Sequence, residues 1–295
     1  MKKLLSILMG IMLVVLITAC SDKTEDAKTD SNKEIKKVET IKIGMIPDQN
    51  TADVNRSMDD FAKDLGEKTG LDVEFVPSVD YAALVTAFER GEIHLAWFGG
   101  LTGVQARNLV PEAEAIAQRP IDTKFKSVFI AQNNIQIDSL EDLKGKTFTF
   151  GSESSTSGHL MPRYFIKEAG IDPEKNLDGV PNYSGSHDKT YKLVESGAFQ
   201  TGALNISVWE AAVKEGKVDT SKVKVFYTTP EYYDYNWTVN KMDNETKTKI
   251  KDAILSMKAG DNEVMTLLQT DKFIEASNDN YKSIEKVAKE LKIIK

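Results

Sequence analysis

The chain has 295 residues, of which 41% are hydrophobic and 28% charged, so it has enough apolar side chains for one large or two medium lobes. Its formal net charge of −7 excludes nucleic acid as an expected partner, because such partners are held by basic patches. Cys20 is the only cysteine, so residues 21–295 contain no thiol for a disulfide or for thiolate catalysis.

The amino terminus has the pattern of a secretory signal. Lys2 and Lys3 precede an almost wholly apolar run, residues 4–17, that is too short for a comfortable membrane span. The sequence Ile17-Thr18-Ala19-Cys20 resembles the lipobox of bacterial lipoproteins, which implies that Cys20 is lipidated. We predict a signal peptide at residues 1–19 and a flexible polar tether at residues 20–40. An incidental cysteine in an ordinary signal peptide is the alternative.

Strand patterns alternate with helix patterns along the first half of the mature chain. We predict strands at residues 41–46, 71–76, 93–98, 114–118 and 127–132. Helix faces lie between them at Val54 to Leu65, at Tyr81 to Phe88 and at Leu101 to Leu109. This alternation predicts an α/β fold of parallel sheets with helices on both faces, whose ligands bind at the carboxyl ends of strands.

A second strand and helix series runs from Lys146 to about Thr229. Its strands are predicted at residues 146–150, 181–183, 203–205 and 223–228, with helices between them. The last stretch, residues 245–295, is helical by pattern. Two series of similar size indicate two lobes.

A run of four hydroxyl residues, Ser154 to Ser157, follows the first strand of this second series. A helix is predicted to begin near Ser155 to Ser157, and a helix start offers unpaired N–H groups and a positive dipole. These features together predict an anion cradle. The alternative is an ordinary helix cap, which uses one or two hydroxyls. Pro162 predicts a kinked or late-starting first turn.

Polar residues at other strand ends are further candidates. Asp48 and Gln49 follow the first strand and either face a cleft or form a turn. His187 either binds a ligand or is a solvated loop residue, and Asp188 either orients His187 or caps the next helix. Asn205 is placed for a contact across the cleft, but it is equally suited to cap a helix.

Five loops have sequences that are typical of one protein family. They are Ile46-Pro47-Asp48-Gln49-Asn50, Asp80-Tyr81, Ala96-Trp97-Phe98-Gly99-Gly100-Leu101, Ser154-Ser155-Thr156-Ser157-Gly158 and Gly185-Ser186-His187-Asp188. Together they resemble the PhnD-like lipoproteins that bind phosphonate, phosphite or phosphate for ABC importers. The loop sequences are closest to those of a subgroup labelled putative selenate-binding proteins. The resemblance covers nearly the whole mature chain.

The resemblance implies a type II periplasmic binding protein fold, in which two α/β lobes close on a ligand. The first lobe would comprise residues 41–130 and 236–295, and the second residues 131–235, with crossovers near 130–133 and 229–237. It further implies a non-enzymatic, monomeric receptor, anchored by lipid on the extracytoplasmic face of the cell membrane. Such a receptor delivers a tetrahedral oxyanion to an ABC permease with its ATPase and needs no cofactor.

The family's site residues can be carried over one at a time. Its hydroxyl cradle falls on Ser155, Thr156 and Ser157, its cleft histidine on His187, and the tyrosine after the second strand on Tyr81.

Two further positions qualify the resemblance. A family tyrosine meets Phe98, so packing or backbone donors, such as that of Gly99, would have to substitute for its hydroxyl. Of the acidic positions that hold an ammonium group in aminophosphonate binders, one matches Asp234. The other falls near Val208, which is apolar, so an aminoalkyl phosphonate is not expected.

Carboxylates in the cleft would decide which oxyanion binds. Phosphite, phosphate and phosphonates keep a proton that Asp48, Asp188 or Asp234 can accept, whereas selenate and sulfate do not. Two other function classes fit the residues: a hydrolase with Ser155 or Ser157 as nucleophile and His187 as base, and a sensor of ligand occupancy. Three scattered histidines and no mature cysteine predict no transition-metal site.

Overall fold

The computed structural model describes residues 40–295, so the predicted signal peptide, Cys20 and nearly all of the tether lie outside the described residues. The strands are β1 (Thr40–Met45), β2 (Asp72–Phe75), β3 (Leu95–Phe98), β4 (Glu114–Gln118), β5 (Ser127–Gln132), β6 (Phe148–Phe150), β7 (Asn182–Tyr183), β8 (Thr201–Asn205), β9 (Val223–Thr228), β10 (Asn236–Val239) and β11 (Ile274–Glu275). The α-helices are α1 (Thr51–Thr69), α2 (Tyr81–Glu89), α3 (Gly100–Leu109), α4 (Met161–Glu168), α5 (Pro173–Asn176), α6 (His187–Glu195), α7 (Ile206–Lys214), α8 (Asn244–Ser256), α9 (Glu263–Leu267) and α10 (Lys282–Glu290). None of the helices in this part of the chain combines the length and apolar character needed to cross a membrane.

The strands form two sheets, as expected for two α/β lobes. The first has the order β11-β4-β10-β3-β1-β2 and the second the order β7-β6-β8-β5-β9. The prediction of wholly parallel sheets is wrong, because β10 runs antiparallel to β3 and β4, and β5 runs antiparallel to β8 and β9. β11 also runs antiparallel to β4. Of these three strands, β5 and β10 each follow a crossover. A strand that is entered from the other lobe begins at the cleft edge, where the neighbouring βα strands end.

Two segments, residues 119–126 and 229–235, connect the sheets. They pair with each other, since Phe125 N donates to Tyr232 O at 2.8 Å and Tyr232 N donates to Phe125 O at 3.0 Å. The predicted boundary at residue 130 would divide β5, which pairs along its length within the second sheet. We therefore place the first crossover before Ser127, while the lobe limits themselves stay a prediction.

Helix α1 shows how local sequence fixes an element. Asn50 caps it by accepting hydrogen bonds from the backbone N–H groups of Ala52 and Asp53. The helix ends at Gly70, whose φ of 68° is the left-handed conformation that glycine adopts without strain. Its apolar face is buried as predicted, at Val54, Met58, Phe61 and Leu65.

The first lobe is organised around an aromatic cluster on β3 and β10. The ring of Trp237 stacks on that of Phe61, with centroids 4.7 Å apart and planes 5° apart, and it packs on Trp97 at 5.2 Å. This core also includes Leu160 and Met161, which the chain contributes from the beginning of α4. The second sheet has its own apolar clusters on its two faces. The predicted helical C-terminal stretch is interrupted by β11, which extends the first sheet beside β4.

Replacing Phe61 with alanine is expected to lower the free energy of unfolding by about 3 to 5 kcal/mol, because it opens a cavity against Trp237. Urea unfolding of the purified protein measures this loss. The control Val180→Ala alters a side chain that is 88% exposed, so its effect should stay within about 0.5 kcal/mol. Equal effects of the two substitutions would contradict the described core.

Candidate functional site

The hydroxyl run forms a tight turn at the beginning of a helix. Ser155 Oγ accepts a hydrogen bond from Gly158 N at 2.9 Å, and Leu160 N donates to Ser155 O at 2.9 Å. Residues Thr156–Leu160 form a π-helical turn, and the α-helix proper begins at Met161. The late start agrees with the prediction from Pro162, which cannot donate a backbone hydrogen bond.

Gly158 permits this turn to pack closely. A Cβ atom at this position would lie 3.0 Å from Ser155 Oγ and 3.1 Å from both Gly151 Cα and His187 Cε1. Those distances are shorter than normal contacts, and one of the three atoms belongs to the backbone. A side chain here would therefore displace the turn or the histidine.

The three cradle hydroxyls have three different environments. Ser155 caps the turn. Thr156 Oγ1 accepts a hydrogen bond from Leu101 N, in the other lobe, at 2.9 Å. Ser157 Oγ is buried and has no hydrogen-bond partner among the described residues. Ser157 is the member without any partner, while Ser155 and Thr156 only accept in these bonds and each keeps an O–H group that can donate to a ligand.

The first lobe approaches this turn through the N-terminus of α3. Gly100 N donates to Asp234 Oδ1 at 2.9 Å. A Cβ at Gly99 would lie 3.2 Å from Thr156 Oγ1 and 3.4 Å from Asp234 Oδ1, so this glycine lets the lobes meet. Phe98, at the position of the family tyrosine, is fully buried and packs edge-on against Phe88 at 5.3 Å.

Four buried polar atoms between the lobes have no hydrogen-bond partner within residues 40–295. We call their residues the unpaired cluster. The atoms are Asp48 Oδ1, Tyr81 Oη, Ser157 Oγ and Asp234 Oδ2. The cluster draws on both lobes and on the second crossover. Buried polar groups are normally paired, so four unpaired ones together indicate the place of a polar ligand.

The two carboxyl groups of the unpaired cluster keep their protons to a higher pH than an ordinary aspartate does. Burial raises the pKa of Asp234 to about 7, against the opposing hydrogen bond from Gly100 N. Burial likewise raises the pKa of Asp48 to about 6, against the opposing effects of Tyr235 and Arg119. Burial, together with the charges of Asp48 and Asp234, raises the pKa of the Tyr81 hydroxyl. The three groups therefore lie close enough to act on one another.

His187 is fully buried and joins the lobes. Its backbone N–H donates to Asp48 O at 3.0 Å. Its Nδ1 accepts from Asn205 N at 3.3 Å, and its Nε2 lies 3.3 Å from Tyr235 Oη. Burial lowers the pKa of His187 to about 4, so the ring is neutral at physiological pH. A direct contact between His187 and a ligand stays a prediction.

Asn205 fills both of its predicted roles. Its Oδ1 caps α7 by accepting from Val208 N at 3.1 Å. Its Nδ2 donates to Tyr235 Oη at 2.8 Å, which is a contact with the second crossover. The hydroxyl of Tyr235 thus accepts a hydrogen bond from a residue at the end of β8, in the second sheet.

Gln49 and Asp188 are not members of the unpaired cluster. Both are partly exposed and line an outer groove of about 620 Å³ between the lobes. The charge of Asp188 nevertheless contributes to the raised pKa of Asp48 and of Tyr81. Asp188 lies in the first turn of α6, whose N-cap is Ser186, so the predicted cap by Asp188 is wrong. Its Oδ1 accepts a hydrogen bond from Ser186 Oγ at 2.5 Å, and no hydrogen bond of the described structure joins Asp188 to the His187 ring.

The sequence predicts that Tyr232 to Tyr235 either wall the cleft or belong to the core, but it does not reveal the buried ion pair beside Tyr235. Arg119 binds Asp122 through Nε at 2.8 Å and NH2 at 2.6 Å, and its guanidinium lies 5.0 Å from the centroid of the Tyr235 ring. The pair supports the aromatic wall of the site. Nothing in the local sequence marks Arg119 or Asp122 as buried.

The described residues contain no group of three or more His, Cys, Asp and Glu side chains able to hold a metal ion. The site therefore consists of hydroxyl, carboxyl, imidazole and backbone groups.

Comparison with known proteins identifies the family. The model of the family described as ABC transporter, phosphonate, periplasmic substrate-binding protein matches residues 43–281. The chain belongs to this family. As a substrate-binding protein of an ABC importer, it acts outside the cytoplasm and is not an enzyme, so the hydrolase alternative is wrong.

Several relatives of this binding protein are close. The probable ABC transporter phosphite binding protein PhnD1 of Prochlorococcus marinus (strain MIT 9301) is 39% identical over 269 residues, covering 86% of this chain and 91% of that protein. The structure of PhnD1 in complex with methylphosphonate has a TM-score of 0.83 and covers 87% of this chain and 99% of that chain. The phosphate-import protein PhnD of Mycolicibacterium smegmatis is 28% identical over 226 residues, covering 72% of this chain and 69% of that protein. The similarity of structure confirms the predicted periplasmic binding protein fold.

The buried carboxyl groups predict a pH-dependent stability for the unliganded binding protein. Burial raises the pKa of Asp234 from its ordinary value of 3.8 to about 7 in the folded state, so the folded state binds the extra proton between these values. The stability that this proton contributes is present at low pH and is lost as the pH rises through about 7.

Asp234→Asn, which cannot titrate, should melt close to the wild type at about pH 4, and its advantage should grow until about pH 7 and stay at that level at about pH 8. Calorimetry of the unliganded proteins measures both temperatures. Asp48→Asn should show a smaller effect of the same sign, because the pKa of Asp48 is raised less, to about 6. A constant difference between wild type and Asp234→Asn over this range would contradict the buried, unpaired carboxyl.

Proposed function

We propose that this protein is the extracytoplasmic binding lipoprotein of an ABC importer and delivers a small, protonated phosphorus oxyanion, phosphite or methylphosphonate, to its permease. The observation that carries the proposal is the pair of unpaired carboxyl oxygens, Asp48 Oδ1 and Asp234 Oδ2, in a site that also offers unpaired hydroxyls. A carboxylate oxygen accepts hydrogen bonds, so its ligand must carry a proton.

The mixture of acceptors and donors suits a hydrogen phosphonate anion. One carboxylate would accept the single P–O–H proton of the monoanion, and the other aspartate would keep its own proton. The hydroxyls of Ser157 and Tyr81 would donate to the charged oxygens. A fully deprotonated oxyanion such as selenate or sulfate brings no proton to the carboxylates and is repelled by them. This argument favours phosphorus oxyanions over the selenate label of the resembling subgroup.

Enclosure limits the size of the ligand. Asp48, Ser157 and Asp234 are each no more than 2% exposed, so a bound molecule would be surrounded. The relatives support the same class, since one is named a phosphite binding protein and its structure holds methylphosphonate. Near the second acidic position of aminophosphonate binders, this chain has Val208, a buried apolar residue that cannot pair with an ammonium group. This supports an anion without an ammonium group.

Lipid anchoring is the second part of the proposal and rests on the amino-terminal sequence. Ile17-Thr18-Ala19-Cys20 follows a charged start and a short apolar run. Acylation at Cys20, with residues 21–40 as a tether, would keep the binding protein near its permease.

Phosphite and methylphosphonate are expected to raise the melting temperature of the purified protein by several degrees, because saturation at a hundred times Kd adds about 2.7 kcal/mol. Selenate and sulfate should leave the melting temperature unchanged, because they carry no proton that a carboxylate can accept. Ser157→Ala should weaken binding of methylphosphonate about ten- to a hundredfold, because it removes a hydrogen bond to a charged group.

The matched control for this prediction is Ser154→Ala. Ser154 lies in the same loop, but it is partly exposed and outside the unpaired cluster, so calorimetric titration should give the wild-type Kd. Binding of sulfate or selenate in preference to both phosphorus anions would overturn the proposed ligand class.

Cys20→Ala is expected to move the protein from the membrane fraction to the soluble extracytoplasmic fraction, because the acceptor of the lipid is lost. Fractionation and labelling with a radioactive fatty acid in a bacterial host measure the change. Cys20 is the only cysteine, so thiol-linked label in the wild type can only come from this position. An unlabelled wild type would show that the cysteine is incidental.

A further inference from the structure

The second crossover delivers two side chains to the site, those of Asp234 and Tyr235. Two other side chains hold the backbone carbonyls of these residues. Asn236 Nδ2 donates to Asp234 O at 3.3 Å. Tyr281 Oη shares its single proton between Tyr235 O, at 3.3 Å, and Gln118 Oε1, at 3.1 Å. The directions of the Asp234 carboxyl and the Tyr235 hydroxyl therefore depend on Asn236 and Tyr281.

Arg107, near the end of α3, contacts both of these supporting side chains. Its NH1 donates to Asn236 Oδ1 at 3.1 Å and to Thr238 Oγ1 at 2.9 Å. Its guanidinium carbon lies 4.8 Å from the centroid of the Tyr281 ring, which is a cation–π contact. One planar side chain thus fixes the two groups that hold the crossover backbone.

The environment of Arg107 does not favour stability. The residue is only 9% exposed, no salt bridge of the described structure includes it, and its NH2 has no hydrogen-bond partner there. Burial lowers the pKa of Arg107 to about 10, against the opposing effects of Tyr281 and Glu285. A buried charge without a carboxylate partner is costly, and an apolar replacement of similar volume is often as stable or more stable. Packing alone therefore does not explain why an arginine occupies position 107.

Gly103, one turn before Arg107, leaves room for the guanidinium. A Cβ at Gly103 would lie 2.8 Å from Arg107 NH1 and 3.1 Å from Asn236 Nδ2. Alanine favours a helix interior more than glycine does, so helix stability alone does not explain this glycine. Gly103 therefore allows the guanidinium of Arg107 to reach Asn236.

We propose that Arg107 is a positioning residue for the ligand site, which acts through Asn236 and Tyr281 to orient Asp234 and Tyr235. The inference rests on the proposed function, because the affected property is the affinity for the oxyanion. Lysine cannot replace it fully, since an ammonium lacks the planar fork that both donates to Asn236 and lies flat on Tyr281.

The test compares affinity with stability in the same variants. Arg107→Met should weaken binding of both phosphite and methylphosphonate about tenfold or more, because the supporting shell of the site is loosened. The melting temperature of the unliganded protein should stay the same or rise, because the uncompensated charge is gone. Arg107→Lys should bind with an affinity between those of Arg107→Met and the wild type.

Gly103→Ala is the second variant, since it keeps the arginine but displaces its guanidinium. It should weaken binding while leaving the melting temperature at or above that of the wild type. The structural control is Asn240→Ala. Asn240 is buried at the far end of β10, where its Nδ2 donates to Phe88 O and Ile93 O. This variant should melt lower and bind with the wild-type Kd.

Calorimetric titration and thermal unfolding separate the outcomes. Affinity lost in Arg107→Met and Gly103→Ala without loss of melting temperature supports the inference. Wild-type affinity in Arg107→Met, or an affinity loss that simply follows the melting temperature across all variants, overturns it. A wild-type protein that binds neither anion overturns the proposed function and the inference together.

Discussion

The central constraint on this protein is the burial of two carboxyl groups, each with an oxygen that no other residue satisfies. Asp48 follows β1 and Asp234 precedes β10, so both carboxyls lie at the cleft edge of the first sheet. Leaving such groups unpaired costs free energy that the rest of the fold must supply. The large aromatic core around Trp97 and Trp237 and the bidentate pair of Arg119 and Asp122 provide the rigid surroundings that hold them there.

The direction of the chain explains how one short crossover can serve the site. Strands β1 and β3 end at the cleft, while β5 and β10 begin there, because the chain arrives from the other lobe. The residues just before β10 therefore lie at the same edge as the loops that follow β1 and β3. Antiparallel insertion of β10 beside β3 places Asp234 next to the N-terminus of α3, where Gly100 N–H meets its carboxylate.

Much of this arrangement could be predicted from local sequence, and the remainder depends on distant partners. The amphipathic face of α1, the bounds of β4, β5 and β9, and the late helix start before Pro162 follow from periodicity and proline chemistry. The hydroxyl run is predicted to be an anion cradle, but its members look alike in sequence. The partner that distinguishes Thr156 is the N–H of Leu101, which is remote in the chain. Strand β10 is not among the predicted strands, because its four residues, Asn-Trp-Thr-Val, show too little pattern to reveal a central strand.

The polar groups buried between the lobes are of two kinds, those paired within the protein and those left unpaired. His187 N–H to Asp48 O and Leu101 N–H to Thr156 Oγ1 join the lobes through protein groups alone. The unpaired carboxyl oxygens differ from these contacts, because no protein group offsets the cost of burying them. Burial raises the pKa of both Asp48 and Asp234, so this cost grows as the pH rises and the carboxyls ionise. The closed arrangement of the lobes therefore costs more free energy in an alkaline medium than in an acidic one.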